Sequence, residues 1–405
     1  FCRLDSAAYP FSFSRALDLR ANVTALTPSQ PLPASRTQAQ LEADLAAASL
    51  GSTVAQRTVT LREGEVVRVG GSANGNRPLA VPAGVTLTSA GLPTYTADPN
   101  GTPSSLAYGR MGRIVPATTA GSPGFSPVDG LVCEASRCNN IGLVTLAPGA
   151  DLVGVWVDGM GLSDANYKVA LVRTTGSAAD TSSTPYDDRT SVVANRLSEP
   201  TRDGVGLRLE GASTGAACIG QQALGNLVTG YSSRHQFDQR GQAQWVDGIT
   251  VACEDATVAG NGVVDVTDVG ILVQGSVDRA ALVTRQRSDV RANTVLSAGL
   301  DAHVALGADA IGTCQPIGVN DAAGAAKPAG PVPCLDLDAP RDFTGARMRD
   351  NRFLTGSRTS FDVGLMVGGG AMWGDHRVTN QGPDAEHPDA EGIEAIPAHA
   401  AGLGL

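Results

Sequence analysis

The chain has 405 residues, a formal net charge of -10, 17% charged residues and 4% aromatics, with 49 glycines. That acidic balance argues against nucleic acid or an anionic membrane as a partner. No run of 18 apolar residues is present, so no membrane-spanning helix is expected.

In chain order, residues 1–34 contain proline and serine and read as an extended arm without a charged and apolar leader, so any export signal is expected to have been removed. Ser35-Arg36-Thr37-Gln38 supplies a capping-box pattern, and Leu41, Leu45 and the following alanines give an apolar stripe through Leu50. A short helix is predicted there, of the kind that closes the end of a strand stack. Leu79–Leu87 and Val144–Leu152 then look like two copies of one strand unit.

A clearer repeat follows. Asn195, Asn226, Asn261, Asn293 and Asn351 are separated by 31, 35, 32 and 58 residues, the period of a solenoid whose last unit carries an insertion. Three positions before them lie Val192, Ala223, Val258, Val290 and Met348; two positions after lie Leu197, Val228, Val263, Val295 and Phe353. A second strand begins at Gly206, Gly248, Gly270 and Gly364, with His303–Leu306 as a variant, and its apolar residues recur every second position. Insertions are expected at 231–245 and 307–340. The division is arm and capping helix 1–50, coils 51–380, and an acidic then Gly/Ala-rich tail 381–405.

Short β-branched strands with Gly and Asp at the corners exclude two-helix repeats and predict an all-β fold, a right-handed single-stranded parallel β-helix. The asparagine columns over 192–380, with a looser match back to residue 55, resemble the pectate-lyase-like β-helix superfamily. In such a fold each coil stacks about 4.8 Å from the last, and equivalent residues form columns. The resemblance implies carbohydrate processing, as in many members of that superfamily.

Cysteines and basic residues suggest an origin. Cys133 and Cys138 share one loop, Cys314 and Cys334 bracket the second insertion, and Cys218 and Cys253 each stand eight residues before a ladder asparagine. These three pairs are the disulfide candidates of an exported protein, with a buried thiol column as the alternative for Cys218 and Cys253. Cys2 is left over. The two lysines, Lys168 and Lys327, against 28 arginines look like high-GC bacterial coding. The expected location is extracellular or cell-surface.

Candidate chemistry is thinner. A polysaccharide lyase needs a base and cations that neutralise a uronate carboxylate; His303 as base with Arg291 and Arg349 makes such a set, although both arginines fall on a different strand from His303, and His235 is a second base on a loop. Against it, those arginines can simply pair with Asp289 and Asp350. A glycosidase needs two facing carboxylates, which the outward columns lack. No cofactor is expected unless calcium binds Asp336, Asp338 and Asp342. Trp156-Val-Asp-Gly159 and Trp245-Val-Asp-Gly248 repeat one tetrapeptide and, with Trp373, offer sugar platforms or coil packing.

Leu224, Leu227, Leu272, Leu296, Leu354 and Met366 fall on outward columns, and such stripes call for a cover, either another part of the chain or a second copy. The sequence thus reads first as a secreted structural or adhesive protein that self-associates, as in a fibre or sheath. A polysaccharide lyase or glycoside hydrolase is the alternative, and a non-catalytic glycan-binding or tailspike-like module a third.

Overall fold

The structure is a computed structural model whose described residues run from 35 to 395. Residues 1–34, 124–140, 161–168, 176–188, 211–218, 231–245, 274–283, 307–340, 356–365, 380–393 and 396–405, with shorter loop stretches, lie outside that description. Among the described residues are one helix, α1 (Gln38–Ser49), three nine-stranded sheets and three two-stranded pairs.

Each large sheet takes every third strand. Sheet 1 runs from Thr58–Leu61 to Met372–Gly374, sheet 2 from Val66–Val69 to Arg377–Thr379, and sheet 3 from Leu79–Val81 to Glu394–Ala395. Pairing within the sheets is parallel throughout, so the chain winds as a right-handed parallel β-helix. The last strand of sheet 3 pairs with Met366–Val367, which carries the coils past residue 380. Two-residue strands are too short to show an alternation in sequence.

Inward positions form aliphatic columns. Leu152, Val192, Ala223 and Val258 stack on sheet 1, Val157, Leu197, Val228 and Val263 on sheet 2, and Val172, Leu207, Ile249 and Ile271 on sheet 3, all fully buried. Gly206, Gly248 and Gly270, which alternation with Leu207, Ile249 and Ile271 would turn outward, lie against the core instead. A Cβ added there would come within 2.4, 2.5 and 2.6 Å of Val228, Val263 and Val295. Glycine is what lets the start of the sheet 3 strand close against the core of sheet 2.

Two residues join sheet 1 to sheet 2, and the ladder asparagine is the second of them. The first lies in the left-handed region: φ is 65° at Gly154, 53° at Ala194, 62° at Gly225, 65° at Gly260, 52° at Ala292 and 55° at Asp350. The bend turns the asparagine inward, where a free amide would be costly. Asn261 illustrates the solution. Its Oδ1 accepts the backbone N–H and the Nδ2–H of Asn226, both at 2.9 Å. Its own Nδ2 donates to Asn293 Oδ1 at 2.9 Å and to Ala223 O at 2.8 Å. The same bonds join Asn195 to Asn226 and Asn293 to Asn351. Before Asn195 the position is Val155, whose N–H donates to Asn195 Oδ1 at 2.9 Å.

At the N-terminal end, α1 packs Leu41, Leu45 and Ala48 against the first coil. Its capping box pairs Thr37 with Gln40, so the N-cap is two residues later than Ser35, the residue the sequence pattern suggested. Arg36 joins this cap to the coil. Its Nε and Nη2 donate to the two oxygens of buried Glu65 at 2.8 and 2.9 Å, and its Nη1 to Asp44 at 2.7 Å. Desolvation pushes the Glu65 carboxyl up, but the Arg36 hydrogen bond, the Arg62 and Arg36 amides and the Arg36 charge together hold it below its ordinary value.

Two outcomes follow. Asn261→Ala strands two donors of Asn226 and one carbonyl in the core, so it is expected to lower unfolding free energy by about 3 kcal/mol or more; a denaturant midpoint equal to that of the native chain would refute the ladder's role. For the cap, a depressed carboxyl stabilises above its unfolded value of about 4.3 and loses that contribution as pH falls through the lower folded value. Glu65→Gln should therefore melt at lower temperature at pH 7 and show a weaker acid dependence, measured by calorimetry from pH 2 to 7.

Candidate functional site

The three outward faces differ in kind. Over its middle coils that of sheet 2 is itself buried: Trp156, Asp158, Arg196, Ser198, Thr229, Val264 and Thr294 all lie below the surface, whereas Arg68 in the first coil is exposed. Trp156 is held between Arg113 and Arg196, whose guanidinium carbons sit 4.4 and 4.5 Å from the ring centroid. Its Nε1 donates to Ser198 Oγ at 2.7 Å, and Arg113 pairs with Asp158. Both ring faces are occupied by cations, so Trp156 is not a sugar platform. Nor are the two tetrapeptides equivalent, since Trp156–Asp158 belongs to sheet 2 and Asp247–Ala252 to sheet 3.

Two leucines expected to form apolar contact stripes are corrected as well. Leu227 follows Arg196 in the same column and is 3% exposed, and Leu272 follows Thr250 on sheet 3 and is also 3% exposed. Outward direction in a strand does not mean solvent when the face it belongs to is covered. Leu224, on sheet 1, remains half-buried. The side chains of Leu296, Leu354 and Met366 lie outside the described residues.

Sheet 1 keeps its outward face partly open. One column runs Thr58, Thr86, Asp151, Ser191, Gln222, Thr257, Asp289 and Arg347, and the next runs Thr60, Thr88, Val153, Val193, Leu224, Ala259, Arg291 and Arg349. Asp151 accepts from Thr86 Oγ1 at 3.3 Å and from the Ser191 amide at 3.2 Å. Burial pushes its carboxyl up, and the bonds from Ser191 and Thr86 offset only part of that. Arg291 pairs with Asp289, and Arg349 Nη2 lies 3.6 Å from the same carboxylate.

Arg291 and Arg349 therefore do stack in neighbouring coils, but His303 is on sheet 3, a different face. The combination of His303 with Arg291 and Arg349 as one lyase site is excluded by this topology. His303 has also slipped in register: it pairs with Val269 and not with Gly270, because a bulge separates that pair from Leu272 and Ala305. His235 lies outside the described residues.

Sheet 3 gathers ionisable side chains from consecutive coils. Arg173 and Arg208 are register partners, and both reach Glu210: Arg173 through Nε to Oε1, Arg208 through Nε to Oε2 at 2.5 Å. Arg208 keeps 22% of its side chain exposed, whereas Arg173, Glu210 and Thr250 are buried. In the next coil Thr250 follows Arg208, and its hydroxyl donates to Asp247 Oδ2 at 3.2 Å. Asp247 is the register partner of Val205, and further along the sheet His303 pairs with Val269. Both edges of this sheet feed long connections: 159–168, 199–204, 230–246 and 356–365 lead in, while 175–190, 211–218, 274–288 and 307–346 lead out. Two-residue turns alone join sheets 1 and 2 where the ladder runs.

Cys253 is fully buried and disulfide-bonded, while Cys2, Cys133, Cys138, Cys218, Cys314 and Cys334 lie outside the described residues, as does Trp245. The same holds for Asp336 and Asp338; Asp342 belongs to a two-residue strand paired with Thr284–Arg285. Trp373 shares the inward column of Met348. No group of three or more His, Cys, Asp or Glu placed to hold a metal occurs among the described residues, and no described helix is long and apolar enough to cross a membrane.

No protein-family model matches the chain, and no curated protein does. Among solved structures the chain is similar to the A-module of the Azotobacter vinelandii mannuronan C-5 epimerase AlgE4, at 13% identity and a TM-score of 0.27, covering 91% of this chain and 95% of that one. A likeness of that size carries no inference about activity.

The raised carboxyl of Asp151 generates a prediction. A carboxyl raised in the folded state contributes fully below its unfolded value of about 3.9 and loses that contribution as pH rises through the folded value. Asp151→Asn should thus melt at higher temperature than the native chain at pH 7, with the gap closing toward pH 3. Equal melting at pH 7 would remove the argument.

Proposed function

We propose that the protein processes an extracellular acidic polysaccharide on the outward face of sheet 3, by base-driven elimination. The observation that carries this reading is the gathering of Arg173, Arg208, Glu210 and Asp247 from three successive coils onto the sheet whose edges feed the long connections. A structural subunit has no need of such a row. The self-association reading also loses Leu227 and Leu272, which are buried.

Charge and spacing favour elimination over hydrolysis. Glu210 pairs with Ala252 and Asp247 with Val205, so the two carboxylates stand five residues apart along the strand direction. At about 3.3 Å per residue that is roughly 16 Å, beyond the roughly 5–10 Å of a glycosidase pair. Elimination requires less: the part-exposed Arg208 guanidinium neutralises the substrate carboxylate, which makes the α-proton acidic, and a base removes it. Asp247, which accepts from Thr250 beside Arg208, is the base of this reading, and His303 lies two strands further along the sheet. The C–H bond α to the carboxylate and the β C–O bond break, a C=C bond forms between them, and the departing oxygen takes a proton.

The test is a panel of polyuronates followed by absorbance near about 235 nm, where the unsaturated uronate absorbs. Native protein should generate that signal, and Arg208→Gln should lower kcat/KM by about 10²-fold. Absence of unsaturated product across the panel, or release of reducing ends without it, would defeat the elimination mechanism.

A further inference from the structure

The outward face of sheet 1 changes character along the molecule. Its first six strands, from Thr58–Leu61 to Asp255–Ala259, contain no arginine or lysine. The next two, Asp289–Arg291 and Arg347–Arg349, place Asp289 and Arg291 beside Arg347 and Arg349 as register partners. Four outward side chains thus form a square, about 4.8 Å along the axis and about 7 Å along the strands, with cations at three corners. One carboxylate cannot neutralise three guanidiniums. Asp289 Oδ2 is shared by Arg291 and Arg349, and Arg347 is exposed with no ion pair among the described residues. Arg291 and Arg349 keep 40% and 49% of their side chains exposed. Arg287, exposed, stands two residues before the strand that opens the square, while Asp350, also exposed, sits at the corner after it. Even counting Asp350, the cluster holds four arginines against two aspartates in a chain of net charge -10.

We propose that this square is a second, non-catalytic binding site for an acidic polysaccharide. A local cationic excess on an acidic protein selects a partner whose negative charges are spaced along a thin chain, because a broad anionic surface meets the repulsion of the rest of the molecule. Carboxylates or sulfates carried on sugars fit that requirement: guanidiniums one coil apart can each take a separate anionic group in bidentate fashion. Sheets 1 and 3 are different faces, so a polymer held here engages the protein apart from the face that would process it. The site rests on the polysaccharide reading for the nature of the polymer only, not for the existence of the patch.

The experiment is affinity electrophoresis of the full chain through gels containing polygalacturonate, dextran sulfate, neutral dextran or double-stranded DNA. Retardation by the two acidic glycans and not by dextran or DNA is expected, fading in high salt. Arg347→Gln with Arg349→Gln should weaken it about fivefold or more, two exposed charges at a few tenths to 1 kcal/mol each. Asp289→Asn should strengthen it, an outcome that a purely structural role for these residues does not give. Arg208→Gln should lower product release about 10²-fold while weakening retardation less than the Arg347→Gln, Arg349→Gln pair does. Retention of the double variant equal to native, or equal retention by DNA, would overturn the proposal, as would loss of retardation in Arg208→Gln. Retention that depends on Arg347 and Arg349 in a protein that releases no product would sustain this site and refute the elimination reading alone.

Discussion

A side-chain amide placed in an apolar interior must find partners for its two donors and its acceptor, and in this molecule that requirement is met only at one axial spacing. Each ladder asparagine binds the next through both its backbone N–H and its Nδ2. Shift one coil by a single residue and the amide loses all of these at once, in a place where water cannot replace them. The aliphatic columns are far more forgiving, since a valine stacks on any neighbouring leucine. The hydrophobic core therefore supplies the bulk of the driving force, while the amides determine which residue of one coil sits over which residue of the next.

With the register fixed, each outward column becomes a line of side chains at constant spacing, and chemistry is written by what occupies each line. Sheet 2 spends its outward positions on a covered layer in which Arg113, Trp156 and Arg196 stack in sequence. Sheet 1 presents hydroxyls and amides first and guanidiniums later. Sheet 3 aligns arginines over a shared carboxylate, Glu210, and then Thr250 and Asp247. From residue 154 onward the long connections enter and leave at sheet 3, whereas the ladder corner between sheets 1 and 2 holds two residues.

Much of this was legible in the chain. The asparagine spacing and its two apolar flanks identify the coils, their register between sheets 1 and 2, and the capping helix in front of them. Three things were hidden, each for a physical reason. Alternation reports inward and outward, not whether the outward face is covered, and so Leu227 and Leu272 looked exposed. A bulge changes register without changing composition, and so His303 was aligned with Gly270 and not with Val269. Finally, an alanine in the left-handed region looks like any other alanine: Ala194 and Ala292 occupy the same bend as Gly225 and Gly260, with φ of 53° and 52°, and no residue-type signal marks them. The Arg173–Glu210–Arg208 cluster was hidden as well, because its carboxylate stands two residues along the strand from the arginine column it serves.

The step from Asn293 to Asn351 crosses 58 residues, yet its hydrogen bonds are 2.9 Å, as short as those across 35 residues between Asn226 and Asn261. The stack counts turns, not residues. Chain length between turns enters stability only logarithmically, about 0.6 kcal/mol for each doubling of a flexible loop. A lineage carrying this scaffold is consequently free to lengthen, shorten or exchange the segments beside sheet 3 without renegotiating the core. Recognition and architecture are inherited here on separate accounts of the same sequence, so that novelty at the rim leaves the frame that displays it unchanged.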